Sequence, residues 1–95
     1  MKFVYIRPRS HNGVFLSNGG MTLAIQQRSS DGRVLVAMAK CPDHKVFDER
    51  KGRREAQARF NAECYAVMTL EAVAKYVDQP VESLKEVLAT DPPFQ

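Results

Sequence analysis

The 95-residue chain carries 14 Lys and Arg against 11 Asp and Glu, a net +3, with 44% hydrophobic residues and two cysteines. This is enough apolar material for a single domain over residues 1–95 with a modest core and no disulfide or metal staples. No apolar run is long enough for a membrane helix, and FVYI near the N-terminus is too short for a signal-peptide core, so the expected compartment is cytoplasmic.

Residues 2–7 (KFVYIR) are β-prone and are ended by Pro8. Arg7, Arg9 and His11 flank that proline in a loop, RPRSHN, whose composition suits either a wrapped phosphate or a plain solvated loop. Asn18-Gly19 is the favoured dipeptide of a tight type I′ turn, because both positions tolerate positive φ. It predicts a hairpin of residues 14–17 with residues 20–27. Ser30-Asp31-Gly32 supplies the next turn, and residues 33–40 the next strand. There Val34, Val36 and Met38 share one face while Leu35, Ala37 and Ala39 share the other. Both faces are apolar, which places this strand centrally, and the alanine face admits a helix at short range.

A ten-residue connection, 41–50, leads into one long amphipathic helix over residues 46–77, with Val46 and Phe47 seating its start. Asp48 is the expected N-cap, and Asp48 and Glu49 complement the positive end of the helix dipole. Gly52 costs about 1 kcal/mol within a helix relative to Ala, so it points to close backbone approach to a neighbouring strand or to a later helix start, with close approach favoured. Ala56, Phe60, Ala66, Val67, Leu70, Val73, Ala74 and Val77 would form one apolar face at helical spacing, with Cys64 at its edge. Tyr65 and Tyr76 would point away as a second contact surface. Arg59 and Glu63, four apart, would sit inside the apolar face, either as a partly buried ion pair or with Arg59 gripping an anion bidentately in a cleft. Pro80 breaks the helix or opens a short final one, Val81–Ala89, and Pro92-Pro93 closes a loose tail over residues 90–95.

Charge is unevenly spread. Residues 1–59 hold twelve Lys or Arg against five acids, and residues 60–95 hold two against six. Such an imbalance suits an anionic partner at one end, head-to-tail self-association, or simply a solvated mixed surface. Free N–H groups at a helix start favour anions, and Arg50, Lys51, Arg53, Arg54 and Arg59 cluster over the turns that follow. With Arg7 and Arg9 they form the candidate ligand-binding set. Glu63, Tyr65 and Tyr76 form the candidate interaction set.

Enzyme chemistry finds little support. There is no Gly-rich phosphate loop, nucleophile elbow or dinucleotide fingerprint, and no cofactor is implied. Cys41-Pro-Asp-His44 offers two metal ligands without a second pair to complete a tetrahedral site, so neither a metal nor a catalytic residue is assigned.

The run over residues 36–60 resembles a segment of small uncharacterised bacteriophage proteins, in which a hairpin ends in a Cys-containing connector and leads into a G-R-x-x-A helix. The matching positions are Cys41, Phe47, Asp48, Lys51, Gly52, Arg53 and Ala56, about a quarter of the chain. The resemblance implies a phage-type accessory factor acting in the host cytoplasm, in host takeover or counter-defence. The expected fold is α+β: an antiparallel three- to four-stranded meander packed by one long helix, plus a short final helix. The expected function is binding of a nucleotide or nucleic acid at the basic helix start. The alternative is a module that inhibits a host protein or forms a homodimer.

Overall fold

A computed structural model describes residues 1–90; the tail expected over 90–95 lies, from residue 91 on, outside the described residues. In chain order the elements are β1 (Lys2–Ile6), β2 (Asn18–Gln27), β3 (Val34–Val46), α1 (Glu49–Asn61), β4 (Ala66–Met68), α2 (Leu70–Val77) and α3 (Val81–Ala89). The strands form one antiparallel sheet in the order β1-β2-β3-β4, so the expected α+β class with an antiparallel meander holds.

The alternation along β3 fixes the layers. Leu35, Ala37 and Ala39 join Ala24 of β2 against Ala56 and Phe60 of α1. Val34 and Val36 join Val4, Leu23 and Ile25 against Val73, Ala74 and Val77 of α2 and Leu84 and Leu88 of α3. The sheet is therefore covered on both faces, α1 on one and the α2–α3 pair on the other. The central position expected for β3 and the close approach expected at Gly52 are both present. A Cβ on Gly52 would fall 2.2 Å from Thr22 Oγ1, a distance that only glycine avoids.

The single long helix does not form; its sequence is divided into α1, β4 and α2. Asp48 caps α1 as expected, its Oδ1 accepting from Lys51 N at 3.1 Å. The helix then stops at a Schellman turn, in which Cys64 N donates to Arg59 O at 2.8 Å and Glu63 N to Phe60 O at 3.0 Å. The left-handed position of that turn is filled by Glu63 (φ 62), not glycine, which hides the stop from sequence inspection. Ala66, Val67 and Met68 then pair with Val36, Leu35 and Val34, carrying the chain around the sheet edge to the opposite face. Thr69 restarts it as a helix, its hydroxyl accepting from Ala72 N at 3.1 Å. Pro80 opens α3, where Leu84 and Leu88 are buried, as the sequence suggests.

The expected hairpin at Asn18-Gly19 also gives way. Those residues begin β2, and β3 runs on past Lys40 to Val46. Gly20 pairs with Cys41 but Asn18 pairs with Val46, so the segment between Cys41 and Val46 bulges outward. Positive φ is used there (Gly19 78°, Gly20 113°), in a bulge and not in a turn. Residues 14–17 belong to no strand; the loop that contains them meets itself in one bridge, Arg9 with Phe15.

Candidate functional site

The candidate site is built where β1, the loop after it and the β3–α1 junction meet. Beyond Ile6 the chain runs on through Pro8, reverses over residues 11–13 and doubles back, with Ser10 N donating to Val14 O and Leu16 N to Pro8 O, each at 2.9 Å. That fold-back brings Phe15 beside both arginines. Arg9 Cζ lies 4.4 Å from the Phe15 ring centre, and Arg7 Cζ lies 5.9 Å from Phe15 and 4.6 Å from Phe47. A guanidinium at such distances is attracted to the electron-rich ring face. Arg7 Nη2 also donates to Leu16 O at 2.8 Å, which locks the loop to the strand.

Phe47 is the hub. Its N–H donates to Ser17 O at 2.8 Å, and its ring meets Tyr5 edge-on at 6.1 Å. Gly20 makes room for it, since a Cβ there would lie 2.9 Å from Phe47 Cδ2. Tyr5 in turn accepts from Arg53 Nη1 at 2.8 Å, and Glu49 Oε2 stands 3.7 Å from the same nitrogen. The bond to Tyr5, more than the charge of Glu49, holds the Arg53 guanidinium above its ordinary value. The result is a continuous strip in which three cations flank rings: Arg9, Phe15, Arg7, then the Phe47–Tyr5 pair, then Arg53.

On the other side of Phe47 lies a groove of about 250 Å³ between β3 and the start of α1, whose lining includes Lys40, Lys45 and Lys51 together with Cys41, Asp48 and Glu55. Lys40 and Lys45 were not singled out from the sequence, because their approach to Lys51 depends on the bulge of β3. The Cys41 thiol points to backbone carbonyls, the nearest Lys45 O at 3.5 Å, and Cys41 and Cys64 are separate free thiols.

The sequence-derived set is therefore redistributed. Arg7, Arg9 and Arg53 come together on the strip, and Lys51 faces the groove. Arg50 and Arg54 are exposed on α1 and do not line the groove. Arg59 is at the far end of α1, where Nη1 donates to Met38 O. Its expected i,i+4 partner, Glu63, is beyond the helix in the left-handed turn, so the helical geometry of that pair is lost. The two tyrosines do not share a surface. Tyr65 packs on Phe60 at 5.1 Å beneath α1, while Tyr76, on α2, reaches the Met21 and Met38 sulfurs at 3.6 Å across the opposite face. No cluster of three or more His, Cys, Asp or Glu suited to a metal occurs among the described residues, and no helix there is long and apolar enough to cross a membrane.

No family model, curated protein or solved structure matches the chain.

Proposed function

We propose that the protein binds single-stranded nucleic acid along the Arg9–Arg53 strip. The observation that carries this reading is the interleaving of three guanidinium groups with Phe15, Phe47 and Tyr5. Single strands are held by cations that follow the phosphates and by rings on which unpaired bases stack. Phe15, 55% exposed, offers the open ring for stacking. The lysine-lined groove beyond Phe47 extends the basic track. An accessory factor of the phage type, which sequesters a strand in the host, fits this chemistry.

The test is fluorescence anisotropy with labelled single-stranded oligonucleotides over a salt series. Each phosphate neutralised contributes about −0.7 to the slope of log K against log salt, so three arginines predict a slope of about −2. Loss of one stacking contact in Phe15→Ala costs about 1–3 kcal/mol of binding. Absence of binding at low salt, or affinity unmoved by Phe15→Ala and Arg9→Ala together, would sink the proposal.

A second reading rests on Val14, Phe15, Leu16 and Val46, which are 65%, 55%, 44% and 71% exposed at the same end of the molecule. Exposed apolar side chains beside arginines also suit a protein interface, with a host protein or a second copy of this chain. A salt-insensitive complex, or a dimer in native mass measurements that Val14→Ser and Val46→Ser dissolve, would favour it.

A further inference from the structure

Beside the strip the surface sinks into a hollow of about 530 Å³, lined by Arg7 and Arg9 and by Asp78 and Gln79, just past α2. Phe15 and Tyr5 line it as well. Neither arginine has a carboxylate at ion-pair distance among the described residues. Arg7 is the more unusual of the two. Its Nε is buried without a hydrogen-bond partner among the described residues, although its Nη2 is bonded to Leu16 O. A buried Nε left without an acceptor is costly, and an anion in the hollow that Arg7 lines would offset the charge of its guanidinium. Two unneutralised guanidiniums against one carboxylate leave the hollow net positive.

We infer that this hollow receives a terminal phosphomonoester, the phosphorylated end of the bound strand. The inference rests on the strip being a single-strand site. An internal phosphodiester carries one charge and must leave as it came, with chain on both sides. A terminal monoester carries close to two charges at neutral pH and needs only one way in. Two guanidiniums without a carboxylate at ion-pair distance among the described residues match the two charges of such a monoester better than the single charge of an internal phosphodiester. Arg7 and Arg9 grip the phosphate oxygens by charge-assisted hydrogen bonds, and Phe15 stacks the last base.

The test compares one labelled oligonucleotide bearing a 5′-phosphate, a 3′-phosphate or hydroxyls at both ends, bound to the whole protein. One of the two phosphorylated forms is expected to bind about tenfold tighter than the hydroxyl form at pH 7.5, as charge-assisted hydrogen bonds imply. The advantage shrinks at pH 5, because the second phosphate proton is taken up near about pH 6. Arg9→Gln weakens every strand but weakens the phosphorylated form more, so that its advantage disappears, and Asp78→Asn enlarges the advantage. Equal affinity for all three ends, with the strand still bound, overturns the inference and leaves the strip intact. No binding of any strand overturns both. A free nucleoside monophosphate carries the same group; if it binds more tightly than the phosphorylated strand, the ligand is the nucleotide and the strand-end assignment falls.

Discussion

On one side of the sheet α1 rests on Thr22, Ala24, Ala37 and Ala39, with Leu35 as the one bulky side chain beneath it; on the other, α2 and α3 rest on Leu23, Ile25, Val34 and Val36. The small side chains bring α1 so near that only a glycine fits over Thr22, and the helix is placed by contact geometry. The bulky side chains hold α2 and α3 by the amount of apolar surface they remove from water. The difference assigns separate duties. The α2–α3 face carries most of the cohesion, while the α1 face sets where Arg53, Tyr5 and Phe47 stand relative to one another.

The largest effect that tests this division is Leu84→Ala. Leu84 is fully buried between α3 and the sheet. Its truncation is expected to cost about 3 kcal/mol in urea unfolding, with strand affinity of the folded protein unchanged. A shift in affinity of the same size would show that the two faces are not independent. Next comes Gly52→Ala. The methyl would strike Thr22, a misfit of about 2 kcal/mol, even though alanine itself favours a helix by about 1 kcal/mol. The loss should be relieved in a Thr22→Ala background, and here affinity should fall as Arg53 is displaced. A smaller change of opposite sign is expected for Thr22→Val. The Thr22 hydroxyl is buried without a partner among the described residues, and its replacement by a methyl should stabilise the fold by about 1 kcal/mol.

The smallest effect lies in the β2–β3 turn, which belongs to neither face. Asp31 accepts from Arg28 Nε at 3.0 Å and from Arg33 N at 3.1 Å, and these bonds, Arg28 first, lower its pKa from 3.8 to about 2. A carboxyl with a lowered folded-state pKa contributes stability above its unfolded value and loses it as pH falls through the folded one. Asp31→Asn should therefore be slightly less stable than the parent above pH 3.8, with the gap closing as pH approaches about 2. A gap that is constant across that range would remove the Arg28–Asp31 pair from the account.

Much of the fold is legible in the residues. Alternation along residues 33–40 shows a strand buried on both faces, Asp48 shows where a helix begins, and Gly52 shows that this helix touches a strand. The division of the long helix is not legible, for a physical reason. Over residues 66–77 the apolar positions satisfy a helical stripe as well as a short strand followed by a helix. The stop between them uses Glu63 in a conformation normally marked by glycine. Thr69 was the one available signal, an N-cap residue ahead of LEAVAKYV. At the site, Arg7, Arg9 and Arg53 were recognisable as cations, but their company was not. Phe15 reaches Arg7 only because the loop folds back, and Phe47 reaches it only because Gly20 lacks a side chain and β3 bulges.

Arg59 illustrates a duty that charge counting does not suggest. β4 pairs with β3 only from Val34 to Val36, no other strand among the described residues pairs there beyond it, and Met38 O, two residues on, is taken by the Arg59 guanidinium. An uncovered row of backbone donors and acceptors is a template on which an extended segment of another molecule can add itself. A bulky cation on that acceptor is one way in which such an edge is blunted against the addition of a further strand.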